Sequence, residues 1–272
     1  MRHTTRTVSV LAAALLWALP AANGGVSEHV SMVAMSKEWD YGSPGEVVTH
    51  PHQFDISVEA DGSVTGITCQ VPDGGPALVL QPDDTGDPWW SWGGEYATEA
   101  ELDVYPHGEY VFTIYYSTQD PDVTAVRYEA PGGGAIPQVT QEPVVLSPSH
   151  LGRQVPTTVT VEWEPCTDPA ATSIGLEWEP DDGLGPSGEV SLPLSQTQYR
   201  LVGLADNTTY DLQLTFDQAY RDTNADGIDY VVDTDAQLKV AFTTPEPAIG
   251  SLLGIGTLTM LSRRHRARVR RQ

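Results

Sequence analysis

Between about residue 26 and residue 244 the chain alternates short apolar bursts with clusters of Gly, Pro, Asp and Asn. Within each burst Val, Ile, Thr, Tyr, Phe or Trp recurs at every second position, the period of a strand with one buried face. No stretch of useful length keeps the 3.6-residue spacing of an amphipathic helix. The alternation predicts strands at His29–Lys37, Phe54–Glu59, Val64–Gln70, Ala77–Gln81, Trp89–Trp92, Glu109–Tyr116 and Val123–Glu129. A second series follows at Val139–Leu146, Thr157–Trp163, Ser173–Trp178, Glu189–Leu194, Gln198–Leu204, Thr209–Phe216 and Gln237–Thr243. Thr98–Val104 reads as one helical turn, because Ala-Glu-Leu is a poor strand former.

The run Ala130-Pro131-Gly132-Gly133-Gly134-Ala135-Ile136-Pro137 separates the two series and marks a domain boundary. The expected fold is all-β, with two tandem β-sandwich domains at residues 26–130 and 137–244. The second domain carries a more specific pattern. Trp163 closes its second strand, Tyr199-Arg200-Leu201-Val202-Gly203-Leu204 precedes Thr208-Thr209-Tyr210-Asp211-Leu212, and Phe242-Thr243-Thr244 ends it. This resembles the fibronectin type III domain. The matching residues are core and corner positions, so the resemblance implies a fold and little about function.

Charge divides the chain differently. Of 37 acidic and 14 basic residues, every acid lies between Glu28 and Glu246. Within that span the only basic residues are Lys37, Arg127, Arg153, Arg200, Arg221 and Lys239. So anionic a body repels a phosphate backbone, which excludes nucleic acid as a partner.

The ends are of another material. Met1-Arg2-His3-Thr4-Thr5-Arg6, an apolar run from Val8 to Leu19 and a small-residue exit at Ala22-Asn23-Gly24 make a secretory signal peptide at residues 1–24. At the other end, Pro245-Glu246-Pro247 precedes an apolar run from Ala248 to Leu261 and the cluster Arg263, Arg264, Arg266, Arg268, Arg270 and Arg271. That run spans only about 21 Å as a helix, short of the ~30 Å hydrocarbon core. The arginines would hold the tail in the cytoplasm, and their stems would make up part of the deficit. Residues 245–272, with a transmembrane helix at 248–262, resemble the PEP-CTERM sorting signal of exported bacterial proteins. The resemblance implies recognition by an exosortase-type membrane protease near Pro245, Glu246 and Pro247. It also implies inner-membrane anchoring before sorting, a final place in the envelope or extracellular matrix, and a producer of extracellular polysaccharide.

Two constellations inside the body suggest ligands. Asp222, Asn224 and Asp226 occupy positions 1, 3 and 5 of a calcium-type loop, with Gly227 at the sharp turn. Ile228 would offer its carbonyl at position 7, and Asp233 takes position 12, where a longer Glu is usual. Calcium is the one cofactor this spacing suggests; a polar hairpin is the plainer reading. Trp89, Trp90 and Trp92 concentrate aromatic surface that could stack on sugars. Strand alternation puts Trp90 and Trp92 on one face and Trp89 on the other, and one face must serve as core. Cys69 and Cys166 fall one in each domain, open to a disulfide or to two free thiols. No nucleophile elbow, phosphate loop or metal-spaced His/Cys set occurs. The expectation is therefore an exported, surface-anchored, non-catalytic β-sandwich protein, with an extracellular carbohydrate-binding module as the alternative.

Overall fold

The computed structural model of the chain describes residues 25–75, 77–83, 86–151 and 155–246. The assigned signal peptide, Pro247, the 248–262 segment and the arginine cluster lie outside these residues. Among the described residues no helix is long and apolar enough to cross a membrane.

The first half contributes β1 (Val30–Asp40), β2 (His52–Ala60), β3 (Val64–Gln70), β4 (Ala77–Pro82), β5 (Trp89–Tyr96), β6 (Gly108–Tyr116) and β7 (Asp122–Tyr128). The second contributes β8 (Val145–Ser147), β9 (Val159–Trp163), β10 (Ser173–Pro180), β11 (Gly188–Leu192), β12 (Gln198–Leu201), β13 (Thr209–Thr223) and β14 (Asp229–Thr243). The expected helical turn is α1 (Glu99–Leu102). Glu101 folds back to accept the N–H groups of Ala97 and Thr98 at 2.9 and 3.0 Å, closing a capping box.

Both halves use one strand order, a duplication invisible as a sequence repeat. The first sets β1–β2–β5 beside β4–β3–β6–β7; the second sets β8–β9–β12 beside β11–β10–β13–β14. Each has a tyrosine at the matching corner. Tyr110 donates to the Pro106 carbonyl at 3.0 Å, and the Tyr210 hydroxyl accepts the Ala205 N–H at 2.9 Å. Alternation along the strands fills the cores. Phe54, Ile56, Phe112 and Ile114 are buried in the first, as are Val161, Trp163, Leu214 and Phe216 in the second.

The halves are not beads on a string. β13 and β14 run 15 residues each, well beyond the expected Thr209–Phe216 and Gln237–Thr243. Their distal halves leave the second sandwich and lie along the first. There β14 pairs in parallel with β1 from Met32↔Asp229 to Asp40↔Gln237, so an 11-stranded sheet runs through both domains. On the opposite side of the first sandwich, β4 bridges to β5 through Gln81↔Ser91 and Pro82↔Trp90. The β13–β14 hairpin therefore closes the side between edge strands β1 and β7, where bare backbone would otherwise be exposed. Ile228 and Val232 from the hairpin are fully buried in the shared core, each worth about 1.5–3 kcal/mol. The Gly-rich boundary is pinned as well: Thr234 Oγ1 donates to the Pro137 carbonyl at 2.8 Å, and Val139 beyond it is fully buried.

Candidate functional site

Because neighbouring side chains on a strand point to opposite faces, the β1–β14 seam presents two chemically different surfaces. On the core face, Lys37 stands in register with Thr234, and both line a 340 Å³ cavity. Glu99 and Asp103 from the α1 turn, His107, and Gln138 from the boundary segment complete its polar lining. Lys37 is only 9% exposed. Burial lowers the pKa of its ammonium, against the opposing pull of Asp103 and Glu99. Its Nζ lies 5.8 Å from the centroid of the Tyr128 ring. The His107 ring stacks on the same tyrosine at 5.3 Å, and its Nδ1 accepts the Ile136 N–H at 3.4 Å. Burial and the nearby Lys37 charge keep this imidazole neutral below its ordinary range. The cavity thus offers one cation and two carboxylates to a small charged molecule.

The outer face carries a row of carboxyls. Ser36 and Glu38 of β1 stand in register with Asp233 and Asp235 of β14, and Ser36 is also opposite Asp55 of β2. Asp217 of β13 is opposite Asp235. Burial raises the pKa of Asp55, Glu38, Asp217, Asp233 and Asp235; acidic neighbours raise all but Asp217 further, while Ser36 and Arg221 pull back at Asp233 and Ser173 and Arg221 at Asp217. Asp55 is pushed up to about 7, Glu38 and Asp233 to about 8, and Asp235 well above the carboxylate range. Gln237 donates to Glu38 at 2.9 Å, whereas Oδ1 of both Asp233 and Asp235 is sealed from solvent without a hydrogen-bond partner. Gly93 on β5 leaves the space that Asp55 occupies: a side-chain carbon there would collide with the Asp55 carboxylate.

The residues singled out from sequence fall elsewhere or are divided. The calcium-type segment is a tight turn between β13 and β14. Asn224 and Asp226 lie at its tip and Asp222 near the end of β13, while Asp233 sits within β14 in the carboxyl row, so a cation at this turn would be held without it. The Ile228 side chain is in the core and its carbonyl accepts the Asn224 N–H at 2.9 Å. Asn224 Oδ1 accepts the N–H groups of Asp226 and Ile228, and its amide donates to Thr124 Oγ1 and the Ala125 carbonyl at 2.8 and 3.0 Å. Thr124 in turn donates to Asp226 at 2.7 Å. The turn's oxygens and amide thus latch the second domain onto β7 of the first.

Trp90 and Trp92 pack against the first core, Trp92 beside Tyr105 at 5.3 Å. Trp89 pairs with Glu59 on the other face, half-buried. Cys69 and Cys166 are both free thiols, and burial raises the pKa of each. Sequence reasoning missed Glu38, Asp55 and Asp235, and assigned Asp233 to the loop rather than to this row. Their signal was alternation: Ser36-x-Glu38-x-Asp40 and Asp233-x-Asp235-x-Gln237 each place polar groups on one strand face. In so acidic a chain that signal does not stand out.

No protein-family model and no curated protein matches the chain. Solved structures that resemble it include a two-domain fibronectin type III segment of chicken tenascin, at 12% identity and a TM-score of 0.26, covering 79% of this chain and 99% of that one. The fn3 domain of human collagen alpha-1(XX) is 21% identical with a TM-score of 0.25, over 43% of this chain and 94% of its own. The FN1–FN3 domains of chicken CNTN1 are 9% identical with a TM-score of 0.28, over 80% of this chain and 66% of theirs.

Proposed function

We propose that this is an exported, non-catalytic β-sandwich protein. In this reading its two domains act as one stiff unit, delivered to the cell surface or matrix by a C-terminal PEP-CTERM-type signal. The observation that carries the reading is where the last strand of the described residues ends. β14 ends at Thr243, Thr244 is buried with its hydroxyl bonded to Thr208, and Glu246 two residues on is exposed. A protease acting around Pro245-Glu246-Pro247 would release the tail without cutting a strand. An exosortase-type membrane protease is the partner this implies, and the six arginines would set the topology until it acts. The test is mass spectrometry of the mature protein from exosortase-positive and exosortase-deficient cells, with fractionation of the envelope. A C-terminus near residue 246 only in the positive cells supports the reading; an intact chain ending at Gln272 in both overturns it.

The carbohydrate-binding alternative rests on Trp89, the member of the cluster on the outer face. A glycan array that includes the producer's own polysaccharide, read with Trp89→Ala, separates the two.

A further inference from the structure

The carboxyl row lies across the junction of two domains, with Glu38 and Asp55 supplied by the first and Asp217, Asp233 and Asp235 by the second. We infer that this row is a proton-sensitive lock: protonated, it lets β1 and β14 stay zipped, and ionised, it forces like charges against one another across the seam and loosens it.

The geometry supports this in two ways. Parallel register places Glu38 beside Asp235 and Ser36 beside Asp233, so the repulsion acts directly between the strands that join the domains. Asp233 and Asp235 each have a sealed carboxyl oxygen without a hydrogen-bond partner, so a charge placed there is poorly compensated.

The charged groups around the row come from every strand that flanks it. β5 contributes Glu95, β2 Asp55, β1 Glu38 and Asp40, β14 Asp233, Asp235 and Lys239, and β13 Asp217 and Arg221. Seven carboxyls thus face two cations, Lys239 beside Glu38 and Arg221 beside Asp233 and Asp217. Behind the sheet, Lys37 and His107 occupy the core face.

The sign follows from linkage. Unfolded carboxyls titrate near 4, while Asp55, Glu38 and Asp233 hold their protons to about 7–8. The folded state therefore binds more protons across this window, and stability falls as pH rises through it. His107 acts in the opposite direction, but only below its ordinary value of about 6.5. Lys37, its ammonium pKa lowered by burial, also opposes the row as pH climbs toward the lysine value, so from pH 6.5 to 9 the row is read as the difference in slope between wild type and the row variants.

The experiment is thermal unfolding and small-angle scattering of the full exported chain across that range. It compares wild type, the double variant Glu38→Gln/Asp235→Asn, the single variant Asp235→Asn, and Glu162→Gln on the separate three-stranded sheet as a control. The wild type and control should lose about 5 °C or more in Tm from pH 6.5 to 9, and their radius of gyration should increase. The double variant should lose less than half as much and keep its dimensions; the single variant should fall between, and serves alone if the double fails to fold. A wild-type Tm that is flat or rising with pH overturns the lock. So does a pH slope that Asp235→Asn leaves unchanged, or a radius that stays constant while the Tm falls.

Discussion

Glu38 of β1 and Asp235 of β14 stand opposite each other in the parallel pairing that joins the two domains, each on the outer face of one continuous sheet. Two carboxyls so placed would be an error in a sheet that had only to be stable, since like charges opposite one another weaken strand pairing. The seam survives because it is held from elsewhere: Ile228 and Val232 on its core face, the Asn224 latch at its tip and the pinned boundary at Pro137.

The first domain should depend on the second. A fragment ending at residue 130 lacks β14, which leaves β1 as a bare edge and uncovers the core that Ile228 and Val232 fill. Expressed alone, it should aggregate or lack a cooperative melting transition, while residues 26–246 melt cooperatively. Circular dichroism and size-exclusion chromatography decide it; a monomeric fragment with a sharp transition would refute the dependence.

Gly93 should resist replacement because of Asp55. Gly93→Ala would drive a methyl group into the Asp55 carboxylate and cost about 1–3 kcal/mol in denaturant unfolding. Adding Asp55→Ala removes the collision, so the pair should be more stable than the sum of the single changes indicates. Strict additivity would show that the two side chains do not compete for this space.

The hairpin tip should act as a latch. Asn224→Ala removes two hydrogen bonds to β7 and two within the turn, with an expected cost of about 1–3 kcal/mol. Faster hydrogen exchange should appear at the turn and around Thr124–Val126, with the β9–β12 pairing of the second domain unaffected. An effect confined to the turn would mean that the contact with β7 contributes nothing.

Lys37 should be replaceable by an apolar side chain of similar length. Its charge is held in a mostly buried place, so Lys37→Met should be neutral to about 1 kcal/mol stabilising at pH 7. The lowered ammonium pKa makes the wild type gain stability as pH climbs toward the ordinary lysine value, and this gain should vanish in the variant. A loss above about 1 kcal/mol would instead make the contacts with Asp103 and Glu99 a net source of stability.

Strand positions were legible in the sequence because a period of two is a local signal. Val64–Gln70 matches to the residue, and the split of Trp89 from Trp90 and Trp92 followed from alternation alone. The α1 turn was equally readable, since its capping residues are neighbours in the chain. The length of the β13–β14 hairpin was not. Asp222, Asn224, Asp226, Asp229, Asp233 and Asp235 are weak strand formers, and a local reading makes this stretch a long polar loop. Tertiary structure overrides that preference: β1 of the other domain offers a ladder of backbone partners, and the shared core takes Ile228 and Val232. The carboxyl row depends on the same pairing. Strand alternation places Glu38 and Asp235 each on one face of its own strand, but only the register across the seam, set by contacts some 200 residues apart, brings them opposite each other.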